Sequence, residues 1–210
     1  MTEDNGPQKR EPPDAGRLVR GLNNLLAAGR PVGETLELIV REAYAAVNCD
    51  HLFLSRYDEA GQLFSAVAWQ SSVSPGDVAL AQKFMGGSYL AGQPVIIHDL
   101  SQYNYRLRPG MARRGFLSMV GVPIATRQGV IGVLEAFSQQ AGGFSDLDAD
   151  LLTLYAREAA AALERAALER EACYRQAEND FLLETLKLEQ ASVGSLLYKV
   201  GETFAAVLGV

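Results

Sequence analysis

The sequence predicts an α+β fold, in which a central antiparallel sheet has helices on both sides and a long helix follows at the C-terminal end. Runs rich in β-branched and aromatic residues predict strands at 51–57, 63–70, 94–98, 116–124 and 130–137, with turn or loop residues between them. In the run 116–124 apolar residues fall on both faces, so each face needs a covering layer. The chain has 210 residues, 48% of them hydrophobic, which is enough for such a core.

Two helices are predicted before the first strand. Residues 1–15 combine charge, proline and glycine with only two apolar residues, which predicts a disordered tail because nothing there offsets the entropy of ordering. Leucines at helical spacing follow, namely Leu18, Leu22, Leu25 and Leu26. Gly29 and Pro31 end that helix and allow a second helix to start. The second helix has one apolar stripe, formed by Leu36, Ile39, Val40, Ala43 and Val47.

The runs 116–124 and 130–137 predict a β-hairpin joined by turn residues from Thr126 to Gly129. With a period of two, one face of its first strand carries Phe116, Val120, Val122 and Ile124. The other face carries Leu117 and Met119. Ahead of the hairpin lies a loop of about 16 residues, which is long enough to carry a function or a short helix of its own.

A long helix is predicted to begin at Ser145, because Asp148 three residues later forms a pattern like a capping box. A spacing of three and four residues is formed by Leu152, Tyr155, Ala159, Ala162, Ala166, Glu169 and Cys173. We expect the first half of this helix to pack on the sheet and the second half to be a solvated helix or a weak coiled-coil seam. Residues 192–194 predict an interruption, and the apolar end from Leu196 needs a cover.

Three motifs, in this order, connect these elements to a known family. They are a Gly-x-Pro-Val strand that ends in Asp99, then FLSMVGVPI, then GVIGVLE. This order resembles the GAF domain, a PAS-related small-molecule sensory module of bacterial signalling proteins. The resemblance spans about 17–168, and its sharpest positions are Pro94, Asp99, Ser118, Pro123, Gly132 and Phe144. After the disordered tail that composition predicts at 1–15, it implies a GAF domain at 16–168 and a helical signalling extension at 169–210.

Composition excludes several classes of protein. The net charge of −6 argues against sequence-independent binding of nucleic acid, which needs a basic surface. No stretch reaches the ~18 uncharged apolar residues of a membrane span, and the polar N-terminus is unlike a signal peptide. The two cysteines, Cys49 and Cys173, form neither a disulfide framework nor a zinc spacing. We therefore predict a cytoplasmic protein that binds neither nucleic acid nor membrane.

No motif for catalysis is visible. The patterns G-x-S-x-G, G-x-G-x-x-G and the P-loop are missing, so we predict no enzyme activity, no metal and no cofactor. Some GAF domains bind haem, for which His98 is the candidate, but a hydrogen-bonded structural histidine is the favoured interpretation. GAF proteins that reduce methionine sulfoxide use clustered cysteines, and bilin-binding members use a cysteine near the pocket, whereas none lies between Asp50 and Ala172. The polar motif of cyclic-nucleotide GAF domains is mostly missing.

Charge is segregated in the stretch 100–134, which holds five arginines and no acidic residue. Two of them, Arg113 and Arg114, lack a partner nearby in sequence, and a guanidinium suits carboxylate, nitrate or phosphate. We therefore predict a small anionic ligand. The resemblance places its binding residues around the GAF pocket, namely Trp69, Tyr89, Tyr103, Tyr105, Arg113, Arg114 and Phe116. The alternative is that the tyrosines and Phe116 are core and the arginines form surface ion pairs.

The sequence thus predicts a cytosolic sensory GAF domain that binds this ligand and transmits binding through its terminal helices to a signalling partner protein or an output domain. Apolar stripes on the flanking helices, at 17–28 and 152–173, predict a homodimer. The alternative is a structural dimerisation module whose pocket is filled by its own side chains and which binds no ligand.

Overall fold

The structure is a computed structural model and describes residues 21, 29–47, 49–58, 63–72, 92–102 and 115–208, with the backbone alone at 58, 63, 187–191 and 204–208. The tail predicted at 1–15 lies outside these residues, as does the first predicted helix apart from residue 21. The described elements are α1 (Val32–Val47), β1 (His51–Asp58), β2 (Leu63–Gln70), β3 (Val95–Ile97), β4 (Ser118–Thr126), β5 (Gly129–Ser138) and α2 (Asp146–Leu208).

The five strands form one antiparallel sheet in the order β2-β1-β5-β4-β3. This arrangement confirms the predicted α+β fold. By its internal contacts the chain divides into two compact units, 1–164 and 165–210. The sheet belongs to the first unit, and so does everything that positions the candidate site.

Helix α1 covers one face of the sheet. Its first turn is closed at Pro31, whose carbonyl oxygen accepts bonds of 3.1 Å from both the backbone N–H and the hydroxyl of Thr35. The predicted apolar stripe is confirmed, because all five of its residues are buried. They are Leu36, Ile39, Val40, Ala43 and Val47.

The hairpin of β4 and β5 is confirmed, with Arg127 and Gln128 as its turn and Gly129 at a φ of 127° that favours glycine. Further along β5, Gly132 lies against β1. A Cβ at this position would overlap the backbone oxygen of Ser55, so only glycine allows the two strands to pair here.

The predicted face of Phe116 is wrong. Strand β4 begins only at Ser118, and Gly115, with a φ of 79°, turns the chain just before it. Because the period of two holds only within a strand, Phe116 does not follow the parity of Val120. It packs instead with Met119 on the opposite face of the sheet.

Alternate residues of the strands divide the core into two layers. We call the side covered by α1 and the beginning of α2 the helix face; its strand residues are Leu52, Leu54, Ala68, Val120, Val122, Ile124, Leu134 and Ala136. We call the other side the aromatic face; its buried apolar residues are Phe53, Phe64, Leu100, Phe116, Met119, Val133 and Phe137. Both layers are buried, which confirms that neither side of the sheet is left to water.

Helix α2 begins as predicted. Both the backbone N–H and the hydroxyl of Ser145 donate to the carboxylate of Asp148, at 2.8 and 2.7 Å. The helix then runs without a break to Leu208, so the interruption predicted at 192–194 is wrong. A glycine in a helix interior costs only about 1 kcal/mol, which the surrounding helix-forming residues offset.

Candidate functional site

One row of residues crosses the middle of the aromatic face. The strand register pairs Trp69 with Phe53, Phe53 with Glu135, Glu135 with Gly121 and Gly121 with Val95. Paired residues of antiparallel strands present their side chains on the same face, so these positions lie side by side. Since Gly121 contributes no side chain, the immediate cross-strand neighbour of the Glu135 carboxyl within this row is Phe53.

Beside the rings of Phe53 and Trp69 within this row, further aromatic rings lie on either side of it, toward both ends of the strands. On one side, Phe116 stacks on Phe137 with ring centroids 4.8 Å apart, and Phe137 meets Phe53 edge-on at 5.9 Å. On the other side, the rings of Tyr57 and Phe64 lie 5.0 Å apart. Among the described residues these rings form two groups, one on each side of the row, and the first group contacts Phe53 within the row.

The row of Ser55, next to the row of Glu135, holds smaller side chains. Ser55 pairs with Ala66 in β2 and with Val133 in β5, and this row lies next to the row of Glu135 and Gly121. The middle of the face therefore combines the rings of Phe53 and Trp69 and several smaller side chains with one carboxyl group. An apolar surround with a few convergent polar groups is the usual composition of a small-molecule site.

The Glu135 side chain is the most unusual group on this face. It is 0% exposed, and neither carboxyl oxygen has a hydrogen-bond partner in the part of the chain that the structure describes. Burial disfavours the charged form and raises the pKa of this carboxyl to about 8. At neutral pH the group is therefore mostly a neutral acid, with one O–H donor and free acceptor positions.

Two further polar side chains lie diagonal to Glu135, on β1. The Nδ1 atom of His51 lies 2.7 Å from the hydroxyl of Ser71, and the imidazole ring meets Phe116 edge-on at 4.8 Å. Burial lowers the pKa of His51, against an opposing effect of the Asp50 charge. The other ring nitrogen, Nε2, and the buried hydroxyl of Ser55 have no partner among the described residues.

The helix face treats its buried polar groups differently. The Ser118 hydroxyl donates to the carbonyl of Gln140 at 2.6 Å and accepts from the N–H of Gly143 at 3.1 Å. The Ser138 hydroxyl accepts from the N–H of Gln140 at 3.1 Å. Within the described ranges, every buried side-chain nitrogen or oxygen atom that lacks a hydrogen-bond partner belongs to His51, Ser55 or Glu135 on the aromatic face.

The structure places two of the predicted site residues. Trp69 lies in the same row as Glu135, with 44% of its surface exposed, and Phe116 is buried in the aromatic face. The other five predicted residues lie outside the described residues. They are Tyr89, Tyr103, Tyr105, Arg113 and Arg114.

Sequence reasoning missed Glu135, His51 and Ser55. The stretch 100–134 that lacks acidic residues ends one residue before this acid. A usable signal existed: Glu135 stands in the run GVLEAF, where both alternating sets are otherwise apolar, so an acid there has no polar face to occupy. In β1 the alternate positions His51, Phe53, Ser55 and Tyr57 mix polar and aromatic residues in the same way.

The haem candidate His98 is exposed, and its backbone carbonyl accepts from the N–H of Gly142 at 2.6 Å. Across the described residues, no group of three or more His, Cys, Asp or Glu side chains is arranged to hold a metal ion. Cys49 is buried and Cys173 is exposed on α2. No helix in the described part of the chain is long and apolar enough to cross a membrane.

Solved structures similar to this chain share its fold at low identity. The GAF domain of a phosphoenolpyruvate-protein phosphotransferase from Acinetobacter is 19% identical, with a TM-score of 0.61, and the alignment covers 74% of this chain and 96% of that one. The corresponding domain from Coxiella burnetii is 17% identical, with a TM-score of 0.64 and coverage of 74% and 95%. A free methionine-R-sulfoxide reductase from Neisseria meningitidis is 18% identical, with a TM-score of 0.58 and coverage of 71% and 89%.

At these identities the likeness shows the fold alone. A comparison with curated proteins finds no match. The family model of the GAF domain matches residues 29–164, more than half of the chain and the whole of the sheet. The match ends where the first compact unit ends. The chain belongs to the GAF domain family.

Proposed function

We propose that this chain is a sensory, regulatory GAF domain that binds a small ligand on the aromatic face. One observation carries the proposal: the unpartnered buried polar atoms of the described residues all lie on this face, at His51, Ser55 and Glu135. Leaving a buried polar group without a partner costs about 1–3 kcal/mol of folding free energy. Three such groups at one place therefore indicate a binding site. A bound molecule would supply the missing hydrogen bonds.

Strand β5 offers a route from this site to α2. Glu135 lies on the aromatic face, while its neighbours Leu134 and Ala136 lie in the helix-face core together with Leu152 of α2. A movement of β5 on binding would therefore be felt at the base of that helix. The hairpin turn adds a second link, because the N–H of Arg127 donates to the carboxylate of Glu164 at 3.1 Å. In this proposal residues 16–168 sense the ligand, and residues 169–210 pass the signal to a partner or output domain.

The ligand class predicted from the sequence was an anion, recognised by Arg113 or Arg114. Both residues lie outside the described ones, so this stays a prediction. The described part of the face contributes hydrogen-bonding groups, small side chains and aromatic rings, which by themselves indicate a small organic molecule.

Ligand binding is tested on the full chain by thermal unfolding against a library of small metabolites, together with native mass spectrometry of protein purified from its own host. A ligand present at 100 times its Kd stabilises the folded state by about 2.7 kcal/mol, which raises the Tm by several degrees. A co-purified molecule or such a shift supports the sensor. Material free of any bound molecule that shows no shift with the whole library contradicts it.

The alternative function, a structural dimerisation module with a filled pocket, is favoured by one observation. The buried ring of Phe137 already contacts both Phe53 and Phe116, so part of the aromatic face is packed with the chain's own side chains. If such packing continues over the whole face, the site has no room for a ligand. A Glu135→Leu variant distinguishes the two functions, because in a filled pocket it changes stability alone, whereas in the sensor it also removes ligand binding.

Both the sensor and the dimerisation module are expected to self-associate. The predicted stripe at 152–173 is partly used within the chain, since Leu152, Tyr155 and Ala159 are buried in the helix-face core. Exposed apolar residues follow further along α2 with the four-seven-three-four spacing of a coiled-coil seam. They are Leu182, Leu186, Val193, Leu196 and Val200. We propose that a second copy of this chain covers them.

Light scattering at about 50 μM tests this dimer, because that concentration lies well above a micromolar dissociation constant. The wild type should be a dimer. Leu186→Lys should shift it to a monomer, because a charge would enter the seam. The matched control is Glu184→Lys, which changes an exposed residue two positions away on the outer side of the seam. A monomeric wild type, or equal effects of the two variants, would refute the proposal.

A further inference from the structure

We propose that the ligand of the aromatic face is an organic cation, such as a primary ammonium compound, and that the Glu135 carboxylate is its anchor. This inference rests on the proposed ligand-binding function and names the chemical class that the site would take. It differs from the anionic class that the arginines of the stretch 100–134 suggest.

The position of Glu135 carries the first step. The carboxyl lies in the central row, with Phe53 across β1 and Gly121, which has no side chain, across β4. Both oxygens are fully buried and lack partners among the described residues. A carboxylate is a pure acceptor for several hydrogen bonds, and an ammonium group is a pure donor of three, so the two are complementary in shape and charge.

Charge carries the second step. In the part of the chain that the structure describes, Glu135 is the one acidic or basic side chain other than histidine that is buried. The titratable groups on its face there are His51, whose pKa burial lowers so that it is neutral, and Tyr57. The described parts of β2, β3 and β4 add no charged side chain to this face. A buried carboxylate is stable only with a counter-charge, and within this surround a ligand would supply it.

The aromatic rings carry the third step. Phe53 lies directly opposite Glu135, and Phe137 lies two residues along the same strand, both fully buried. The faces of aromatic rings attract cations, most strongly where water is excluded. An anion would gain nothing from these rings, and it would be repelled by Glu135 in its charged form.

Binding of the cation releases one proton. In the free protein the burial of Glu135 raises its pKa to about 8, so at pH 7 it is mainly the neutral acid. When the ammonium binds, the O–H bond of the acid breaks, the proton passes to the buffer, and the carboxylate that remains pairs with the intact ammonium. The apparent affinity should therefore rise about tenfold per pH unit below pH 8 and level off above it.

The experiment is calorimetry on the full chain with three matched series of probes. The cations are primary ammonium ions from methylammonium to phenethylammonium, the neutral series has the corresponding alcohols, and the anions are the corresponding carboxylates. Each titration is run at pH 7 in two buffers that differ in ionisation enthalpy. We expect an ammonium ion to bind at least tenfold more tightly than its alcohol, with release of close to one proton.

The Glu135→Gln variant keeps the size of the side chain and removes its charge. It should reduce ammonium binding by ~10- to 100-fold and abolish the proton release. The control is Glu184→Gln on the exposed outer side of α2, which should change neither. If Glu135→Gln does not fold, infrared spectra of the wild type still decide, because the protonated-carboxyl band should disappear when the ammonium ion is added.

Three results would overturn the inference. They are binding of the carboxylate or alcohol series in preference to the ammonium series, ammonium binding without proton release, and no ammonium binding up to millimolar concentrations. Preference for carboxylates would leave the proposed sensor intact and support the arginine-based anion site instead. The failure of the proposed function itself would show separately, as the absence of any ligand in the library and mass-spectrometric tests.

Discussion

The two faces of this sheet are built by alternate residues of the same strands, yet they differ in how their buried polar groups are hydrogen-bonded. On the helix face the buried serines are bonded to the backbone, and the strand residues of the core are aliphatic. On the aromatic face, Glu135, His51 and Ser55 are buried with polar atoms that lack partners among the described residues. The first arrangement pairs its buried polar groups and so favours stability. The second leaves buried polar groups without partners, which lowers stability at a place where a ligand would supply the missing hydrogen bonds.

The largest expected effect is the pH dependence that Glu135 imposes on stability. Burial raises its pKa from 4.5 to about 8, so between these values the folded state holds a proton that the unfolded state has lost. Stability must therefore fall as pH rises from about 5 to 8, by ~3 kcal/mol from this group. His51 acts in the opposite direction below about pH 6.5, because its folded pKa is lowered.

Urea unfolding of wild type and Glu135→Gln across this pH range isolates the effect. The stability difference between the two proteins should shrink or change sign steadily toward pH 8, while the His51 contribution cancels. Parallel curves for the two proteins would mean that Glu135 is paired in solution, and the contrast between the faces would then lose its main support.

A matched pair of valines compares how tightly the two faces are packed, with a smaller expected effect. Val122 on the helix face and Val133 on the aromatic face are both 0% exposed. Val122→Ala should cost ~2 kcal/mol of unfolding free energy, from two methylene equivalents and a dry cavity. Val133→Ala should cost about half as much, because the polar groups beside it allow water into the gap. Equal losses in urea unfolding would indicate that the aromatic face is as dry and tightly packed as the other.

A matched pair of serines gives the smallest expected effect. Ser118→Ala removes two hydrogen bonds on the helix face and should cost about 1–2 kcal/mol. Ser55→Ala removes a buried hydroxyl that has no partner among the described residues, so it should be neutral or stabilise by up to ~1 kcal/mol. Thermal unfolding of both variants at one pH makes the measurement. If Ser55→Ala lost as much stability as Ser118→Ala, the Ser55 hydroxyl would already have a partner and would not be free to bind a ligand.

Much of the architecture could be predicted because it depends on local patterns. The stripe of α1, the start of α2 at Ser145 and the β4–β5 hairpin each follow from a few neighbouring residues. Errors arose where a local rule was extended too far. The alternating pattern predicts the wrong face for Phe116 because the strand begins only at Ser118, and the break predicted at Gly194 is wrong because a long helix tolerates a single glycine.

By itself the sequence determined the fold class, the family and the order of the elements, because these depend on hydrophobic periodicity, turn residues and motifs that lie close together in the chain. Only the tertiary structure decided which polar residues meet. Glu135 joins His51 and Ser55 because β5 pairs with β1, across more than 75 residues of intervening chain, and a one-residue change of register would have sent the acid to the other face. The burial of Glu135 and its neighbours on the sheet depend on that register, which local sequence patterns do not fix. Its role in the candidate site therefore follows only from the tertiary structure.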